Sequence, residues 1–140
     1  MNMIGKNISI LYRQFNVFLS HELAGSELTA NELMYLGSLY QKDGVTQDEL
    51  AREFCIDKGA TARCLQVMEK KDLIKRCGDG EDRRAKRIYL TEKGLDCKTL
   101  IEQIQQKWLS VCNSSMSESE MEIFSEQIDQ IAKNLIRENS

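Results

Sequence analysis

Apolar residues recur along residues 4–24 at spacings of four and three, as Ile4, Ile8, Leu11, Phe15 and Phe18. That period lays one stripe along an amphipathic helix, and Gly25-Ser26 ends it. A second helix opens on Thr29-Ala30-Asn31-Glu32. A threonine followed three residues later by glutamate satisfies two free backbone amides reciprocally. This helix carries Leu33, Leu36 and Tyr40 on one face and stops at Asp43-Gly44. The same arrangement recurs at Thr46-Gln47-Asp48-Glu49 and starts a short helix, 47–54, that buries Leu50, Ala51 and Phe54. After the turn Cys55-Ile56, Asp57 caps a further helix reaching about Lys71. Ala51 is small and lets the two helices approach closely. The segment predicts a helix-turn-helix.

The period then changes from helical to alternating. Leu73-Ile74-Lys75-Arg76-Cys77 reads as a strand, Cys77-Gly78-Asp79-Gly80-Glu81 as a glycine-punctuated turn, and Lys86 to Leu90 as the returning strand. A hairpin after a helix-turn-helix predicts a winged helix-turn-helix. From Thr91 one long helix is expected to run to about Cys112, with Cys97, Leu100, Ile101, Ile104, Trp108 and Cys112 as its apolar stripe. A third capping box, Ser117-Glu118-Ser119-Glu120, opens a final helix bearing Met121, Phe124, Ile128, Ile131 and Leu135. The fold class is therefore mostly α with a small β-hairpin wing. Long apolar stripes at both ends of so small a chain are awkward to bury against one winged module. A two-fold dimer in which 4–24 and 117–137 pack with their symmetry mates resolves this. The alternative is that they cover the monomer's own core.

Length and composition narrow the class. The chain has 140 residues, 41% of them hydrophobic, with no proline and 6% aromatics, which suits one helix-rich domain with a real core. No apolar run approaches the roughly 18 residues of a membrane span, and the N-terminus lacks a signal-peptide pattern. A cytoplasmic location is expected. The net charge of −3 conceals an asymmetry. Residues 1–56 carry 4 Lys+Arg and 7 Asp+Glu, 57–94 carry 11 and 7, and 95–140 carry 4 and 8. The segments thus sum to −3, +4 and −4. Four cations crowd into the six residues from Arg83 to Ile88, at the tip of the predicted hairpin. A merely solvated surface does not predict such clustering. A basic tip on an acidic protein calls for an anionic partner, and a nucleic-acid backbone reached by a wing fits best.

Other chemistries find little support. The five cysteines, Cys55, Cys64, Cys77, Cys97 and Cys112, are odd in number, with no Cys-x-x-Cys pair. They predict neither a disulfide framework nor a zinc site, and most simply serve as small apolar residues. Cys77 stands beside Arg76, a cation able to lower a thiol pKa. The single histidine, His21, lies far from any nucleophile motif, and there is no phosphate-binding glycine loop. No catalytic residue, metal or cofactor is expected, and an enzyme is disfavoured.

At this point the order of elements and the residues together resemble the MarR family of bacterial transcriptional regulators, over nearly the whole chain. Asp82-Arg83-Arg84-Ala85-Lys86-Arg87 is similar to the family's Asp-x-Arg-x-x-Arg/Lys wing signature, and Leu90-Thr91-Glu92-Lys93-Gly94 follows it. Asp57-Lys58-Gly59-Ala60-Thr61-Ala62-Arg63, with Leu65 and Met68 to Ile74, resembles the recognition helix and its run into the wing. Asp72 stands where the family usually has glycine. Aspartate tolerates the left-handed conformation better than most residues. The resemblance implies a single domain, 1–140, with a winged part at about 29–92 and dimerisation helices at about 4–24 and 93–137. It implies a roughly triangular homodimer on a palindromic operator, usually a repressor, often released by a small lipophilic or phenolic effector or by cysteine oxidation.

Winding a helix forward from Asp57 puts Ala62, Leu65 and Met68 on the core face and Ala60, Arg63, Cys64, Val67, Lys70 and Lys71 opposite. Arg63 suits a guanine edge or a phosphate, and Ala60 and Val67 suit thymine methyls. Lys70 and Lys71 are expected on phosphates, as are Lys58 and Thr61 in the first turn, where backbone amides also favour an anion. On the wing, Arg84 resembles the family residue that enters the minor groove. Arg83 and Lys86 are expected beside phosphates, Arg87 is expected among the DNA contacts, and Asp82 is expected to orient Arg84 or Arg87. An effector pocket is expected between the dimerisation helices and the winged module, with Tyr12, His21, Tyr35, Tyr40 and Trp108 as candidates. Two other readings compete: a thiol-based redox regulator of the same fold, and a winged module used only for protein contacts.

Overall fold

The chain runs α1 (Ile4–Leu23), α2 (Ala30–Gln41), β1 (Val45–Thr46), α3 (Gln47–Glu53), α4 (Lys58–Lys70), β2 (Ile74–Asp79), β3 (Asp82–Leu90), α5 (Glu92–Asp96), α6 (Lys98–Asn113) and α7 (Glu118–Glu138). The computed structural model describes residues 2–79 and 82–140, with the backbone alone at 79 and 82–85. It divides into two units, Met1–Glu102 and Gln103–Ser140. Among the described residues no helix is long and apolar enough to cross a membrane.

Helix starts fall where side chains satisfy free amides. Thr29, Thr46 and Ser117 each form both bonds of a capping box, with Glu32, Glu49 and Glu120 as the partners. Asp57 accepts from the Ala60 amide at 3.1 Å and starts α4. Helix ends are equally specific. At the end of α4, Asp72 donates to the Glu69 carbonyl and Leu73 to the Met68 carbonyl, both at 3.0 Å. This is the six-to-one and five-to-two pattern of a Schellman stop, with Asp72 left-handed at φ 61°. Aspartate thus does the work expected of glycine. The α3–α4 turn repeats the pattern. Cys55 donates to Arg52 and Ile56 to Ala51, and Cys55 sits at φ 51°.

In the first unit, Leu36, Leu39, Leu50, Leu65, Met68, Leu73, Ile74 and Ile88 are all but fully buried. The alternating pattern becomes an antiparallel sheet in the order β1-β3-β2. Ile74 pairs with Leu90 and Gly78 with Lys86, before a register shift at Gly78/Asp79. Strand β1 is an addition to the expected hairpin: Val45 pairs with Ile88 and Thr46 with Arg87. Two residues carry no period, which is why the pattern left it invisible.

The long helix expected from Thr91 to Cys112 is interrupted at Cys97, between α5 and α6. Thr91 caps α5 and also donates from its hydroxyl to the Asp72 carbonyl at 2.6 Å. One turn on, the Gly94 carbonyl accepts from the Tyr40 hydroxyl at 2.6 Å. Lateral bonds therefore fix this first turn against α2 and the α4–β2 link. A Cβ at Gly94 would run into the Leu73 carbonyl oxygen, so glycine is required by close backbone approach.

The second unit holds the remainder of α6 and all of α7. No residue of α7 is buried, and Ile123, Phe124, Ile128, Ile131, Leu135 and Ile136 are exposed. Along α1, in the first unit, Ile4, Ile8, Leu11 and Tyr12 are exposed as well, whereas Leu19 and Leu23 are buried.

Gly94→Ala should destabilise the fold by about 1–3 kcal/mol, the usual range for overpacking. Gly37→Ala, mid-helix with open space around its Cβ, should be neutral or stabilise by up to about 1 kcal/mol. Urea titrations of both variants check this. Equal stabilities would mean that the backbone approach at Gly94 is not tight.

Candidate nucleic-acid interface

Helices α3 and α4 with the β2–β3 hairpin form the expected winged helix-turn-helix. Inner-face residues of α4 are locked: Leu65 and Met68 are fully buried. Its outward row holds Lys58, Arg63, Val67 and Lys70 exposed and Ala60 half-buried. Gln66 is exposed on the same row, one turn from Arg63 and Lys70. The sequence reading passed over it, although its spacing from Leu65 and Met68 marked it as outward. A glutamine there can read adenine with two hydrogen bonds. The Arg63 guanidinium and the Asp57 carboxylate both lie over Gly59, where a Cβ would come within 3.3 Å and 3.0 Å of them. The arginine is thus poised at the first turn of α4. Lys58 lies 3.5 Å from Asp48, but both side chains are well exposed, so the pair holds the lysine only loosely.

Three expected DNA contacts point elsewhere. Thr61 is fully buried, and its hydroxyl bonds that of Tyr35 at 3.1 Å. It faces α2 because it shares the inner side of α4 with Leu65 and Met68. Lys71 turns inward to Glu32, a carboxylate only 2% exposed. Its Nζ donates to both oxygens, at 2.8 and 3.0 Å, and to the Glu27 carbonyl at 2.6 Å. A buried carboxylate requires such a partner. Arg87 donates to the Gly44 carbonyl at 2.9 Å, tying β3 to the turn before β1. Cys64 is half-buried, as Ala60 is, and burial first, then Glu32, pushes its thiol pKa up.

On the wing, Lys86 is exposed. The expectations for Arg83, Arg84 and Asp82 concern side chains outside the described residues. Cys77 follows Arg76 in the strand, so the two side chains leave opposite faces. The Arg76 guanidinium bonds Glu69 instead, at 3.1 and 3.3 Å. Burial also raises the Cys97 thiol, and all five cysteines are free. No cluster among the described residues could hold a metal.

A cavity of about 310 Å³ opens in the first unit between α1, α2 and the α3–α4 turn. Tyr12 and Tyr35 line it, with Phe15, Asn16, Asn31 and Met34 beside them and Phe54 and Ile56 from the turn. Phe54 packs edge-on against Tyr35, ring centres 5.3 Å apart. His21 is exposed at the end of α1, and Tyr40 is committed to Gly94, so neither belongs to this cavity. Burial pushes the Tyr40 phenol far up, with smaller contributions from Cys97 and Glu102. Trp108 is half-buried in the second unit.

Removing Lys71 should be far costlier than removing its neighbour. Lys71→Met strands a buried carboxylate, at about 3–5 kcal/mol, whereas Lys70→Met on the surface should stay within about 0.5 kcal/mol. Chemical denaturation of the two variants checks the contrast. Similar stabilities would return Lys71 to the list of free cations.

Comparison with known proteins agrees with this architecture. The MarR family model matches residues 28–86, the span from the start of α2 to the middle of β3. The chain is 25% identical over 138 residues to the uncharacterized HTH-type transcriptional regulator YybA of Bacillus subtilis strain 168, covering 99% of this chain and 92% of that protein. A MarR transcriptional regulator from Methanosarcina mazei Go1 superposes with a TM-score of 0.84 at 29% identity, covering 96% of this chain and 97% of that one. The S. aureus MepR–DNA complex matches at 0.86 and 24%, covering 96% and 99%.

Proposed function

We propose that this chain, which is similar to the MarR family over residues 28–86, is a MarR-type regulator and a sequence-specific DNA-binding repressor. It acts as a homodimer on a palindromic operator and is released by a small effector. The observation that carries the reading is the outward row of α4. Arg63, Gln66, Val67 and Lys70 stand exposed on a helix whose inner face is buried and whose two ends are fixed. Such a helix presents base-reading and phosphate-binding side chains without reorganising. The similar S. aureus MepR was solved in complex with DNA, which supports DNA as the partner.

Homodimerisation is supported by the exposed apolar residues of α1 and α7. Exposed apolar residues in such numbers are costly in water and are covered by self-association through a two-fold axis. A dimer places two α4 helices at symmetric half-sites, which is the physical basis of a palindrome. Regulators of this family act by binding rather than by catalysis.

The cavity beside the α3–α4 turn supports effector release. Tyr35 forms its wall and also bonds Thr61 in the first turn of α4, so an occupant that moves Tyr35 moves the recognition helix. None of its lining residues is charged. A bound carboxylate would lose its hydration without gaining a cation. The effector is then a neutral aromatic or lipophilic molecule, with Asn16 and Asn31 available for a single polar group.

Selection from random duplex DNA should enrich a two-fold-symmetric sequence, and sedimentation of the free chain should give twice 16.1 kDa. Against that duplex, Arg63→Ala should cost about 1–3 kcal/mol and relax preference at one position. Lys70→Ala should weaken operator and scrambled DNA alike and make the salt slope shallower by about one. A monomer that enriches no sequence would sink the reading.

For the effector, a neutral phenol and the matching aromatic carboxylate make the test. The phenol should bind and loosen the operator complex, with the carboxylate at least about tenfold weaker. A carboxylate that binds as well or better would contradict the uncharged cavity.

A further inference from the structure

Arg76, at the root of the wing, is engaged by neighbouring elements through its guanidinium. It leaves β2 and donates from Nε to Glu69 Oε2 at 3.1 Å and from Nη2 to Glu69 Oε1 at 3.3 Å. Its Nη1 reaches Gln47 Oε1 at 3.5 Å. Glu69 belongs to the last turns of α4, Gln47 is the first residue of α3, and Arg76 belongs to the wing. The arginine side chain is only 18% exposed, so it is not a free surface cation. The fork-to-fork geometry fixes direction as well as distance, because a planar guanidinium meets a planar carboxylate through two parallel bonds. Arg76 and Lys86 both favour the ionised form of Glu69. Lys86 lies opposite Gly78 in the register, two residues along the same face of the sheet.

We infer that Arg76 and Glu69 are positioning residues for DNA recognition, a clamp that sets the wing at one fixed distance and angle from the recognition helix. The inference rests on the DNA-binding reading above. Its physical content is specificity. A helix reading one groove and a wing reading the next contribute jointly only if their separation is fixed before binding. If the wing swings freely, its contacts must be ordered at the moment of binding, and the gain for the correct sequence falls. Non-specific binding, held by phosphates alone, depends little on that separation.

Glu69 provides a test by sign. A carboxylate that is merely a bystander near a phosphate surface repels DNA, so Glu69→Gln would then raise affinity for every sequence equally. A positioning carboxylate gives the opposite for the selected duplex. The experiment uses the full-length chain, the duplex enriched by selection, and a scrambled duplex of the same composition. Measurements are made well below the thermal transition of each variant, so that unfolding does not enter. Arg76→Lys keeps the charge and loses the fork. Both Arg76→Lys and Glu69→Gln should lower the ratio of selected to scrambled affinity by about tenfold, and the double variant should lose no more than the worse single one, as expected for two halves of one device. An unchanged ratio in both single variants, or a double variant whose losses multiply, overturns the clamp. If the wild-type chain itself enriches no duplex, the DNA-binding reading fails first and the clamp fails with it. A lowered transition temperature with an unchanged ratio would mean that the pair only stabilises the fold.

Discussion

The recognition helix is held at both ends by one other helix, and most of the first unit follows from that constraint. Near its start, Thr61 bonds Tyr35 of α2. Just past its end, Lys71 reaches Glu32 of the same helix. Glu32 has two tasks, since it also closes the capping box that starts α2. The carboxylate is buried because it works inside the structure, and it tolerates burial because a cation, a backbone amide and a hydroxyl-capped helix start surround it. The network extends outward. Lys93 donates to the Lys71 carbonyl at 2.9 Å and to Glu27 at 3.0 Å. This brings α5 into the same arrangement, and Gly94 next to it allows the contact by having no side chain. The outer row of α4 is therefore presented from a helix with little freedom to roll.

Much of this was legible in the sequence because it is local. Each capping box spans four residues, each Schellman stop six, and the hairpin is read from alternation. The left-handed Asp72 was legible too, as an aspartate in a glycine's place. What was not legible is long-range. Thr61 and Tyr35 are 26 residues apart, Lys71 and Glu32 are 39 apart, and Arg87 and Gly44 are 43 apart. A helical wheel sorts residues into faces but does not reveal that a lysine at the edge of a face will fold inward to a buried acid. The cations at 71 and 87 therefore read as DNA contacts when their partners lie within the protein. The opposite error also occurred. Gln66 is uncharged and drew no attention, yet its place on the wheel was as clear as that of Arg63.

The break at Cys97 has a similar origin. Nothing in the residues from Thr91 to Cys112 forbids one helix, since proline is absent and the apolar stripe continues. The Tyr40 hydroxyl takes the Gly94 carbonyl, the acceptor that an uninterrupted helix would offer to the Lys98 amide. Propensity is a weak prior against such contacts. Likewise, β1 exists because Gly44, at φ 75°, lets its amide donate to the Ile88 carbonyl at 2.9 Å and sets two residues against β3.

One residue links the cavity and α4 in this architecture. The Tyr35 ring lines the cavity and meets Phe54 at the end of α3, while its hydroxyl holds Thr61. Burial raises its phenol pKa, the bond to Thr61 opposes this, and the tyrosine stays a neutral hydrogen-bonding group. Helix α4 is attached near its start through a hydroxyl pair at the wall of an uncharged cavity. Past its end it is attached through an ion pair. Displacing the first while the second holds would tilt α4 about its C-terminal end instead of releasing it. A tilt of that kind moves Arg63 and Ala60 most and Lys70 least. Under the proposed function, base reading would be lost before phosphate binding, and the chain would leave its operator while retaining affinity for DNA at large.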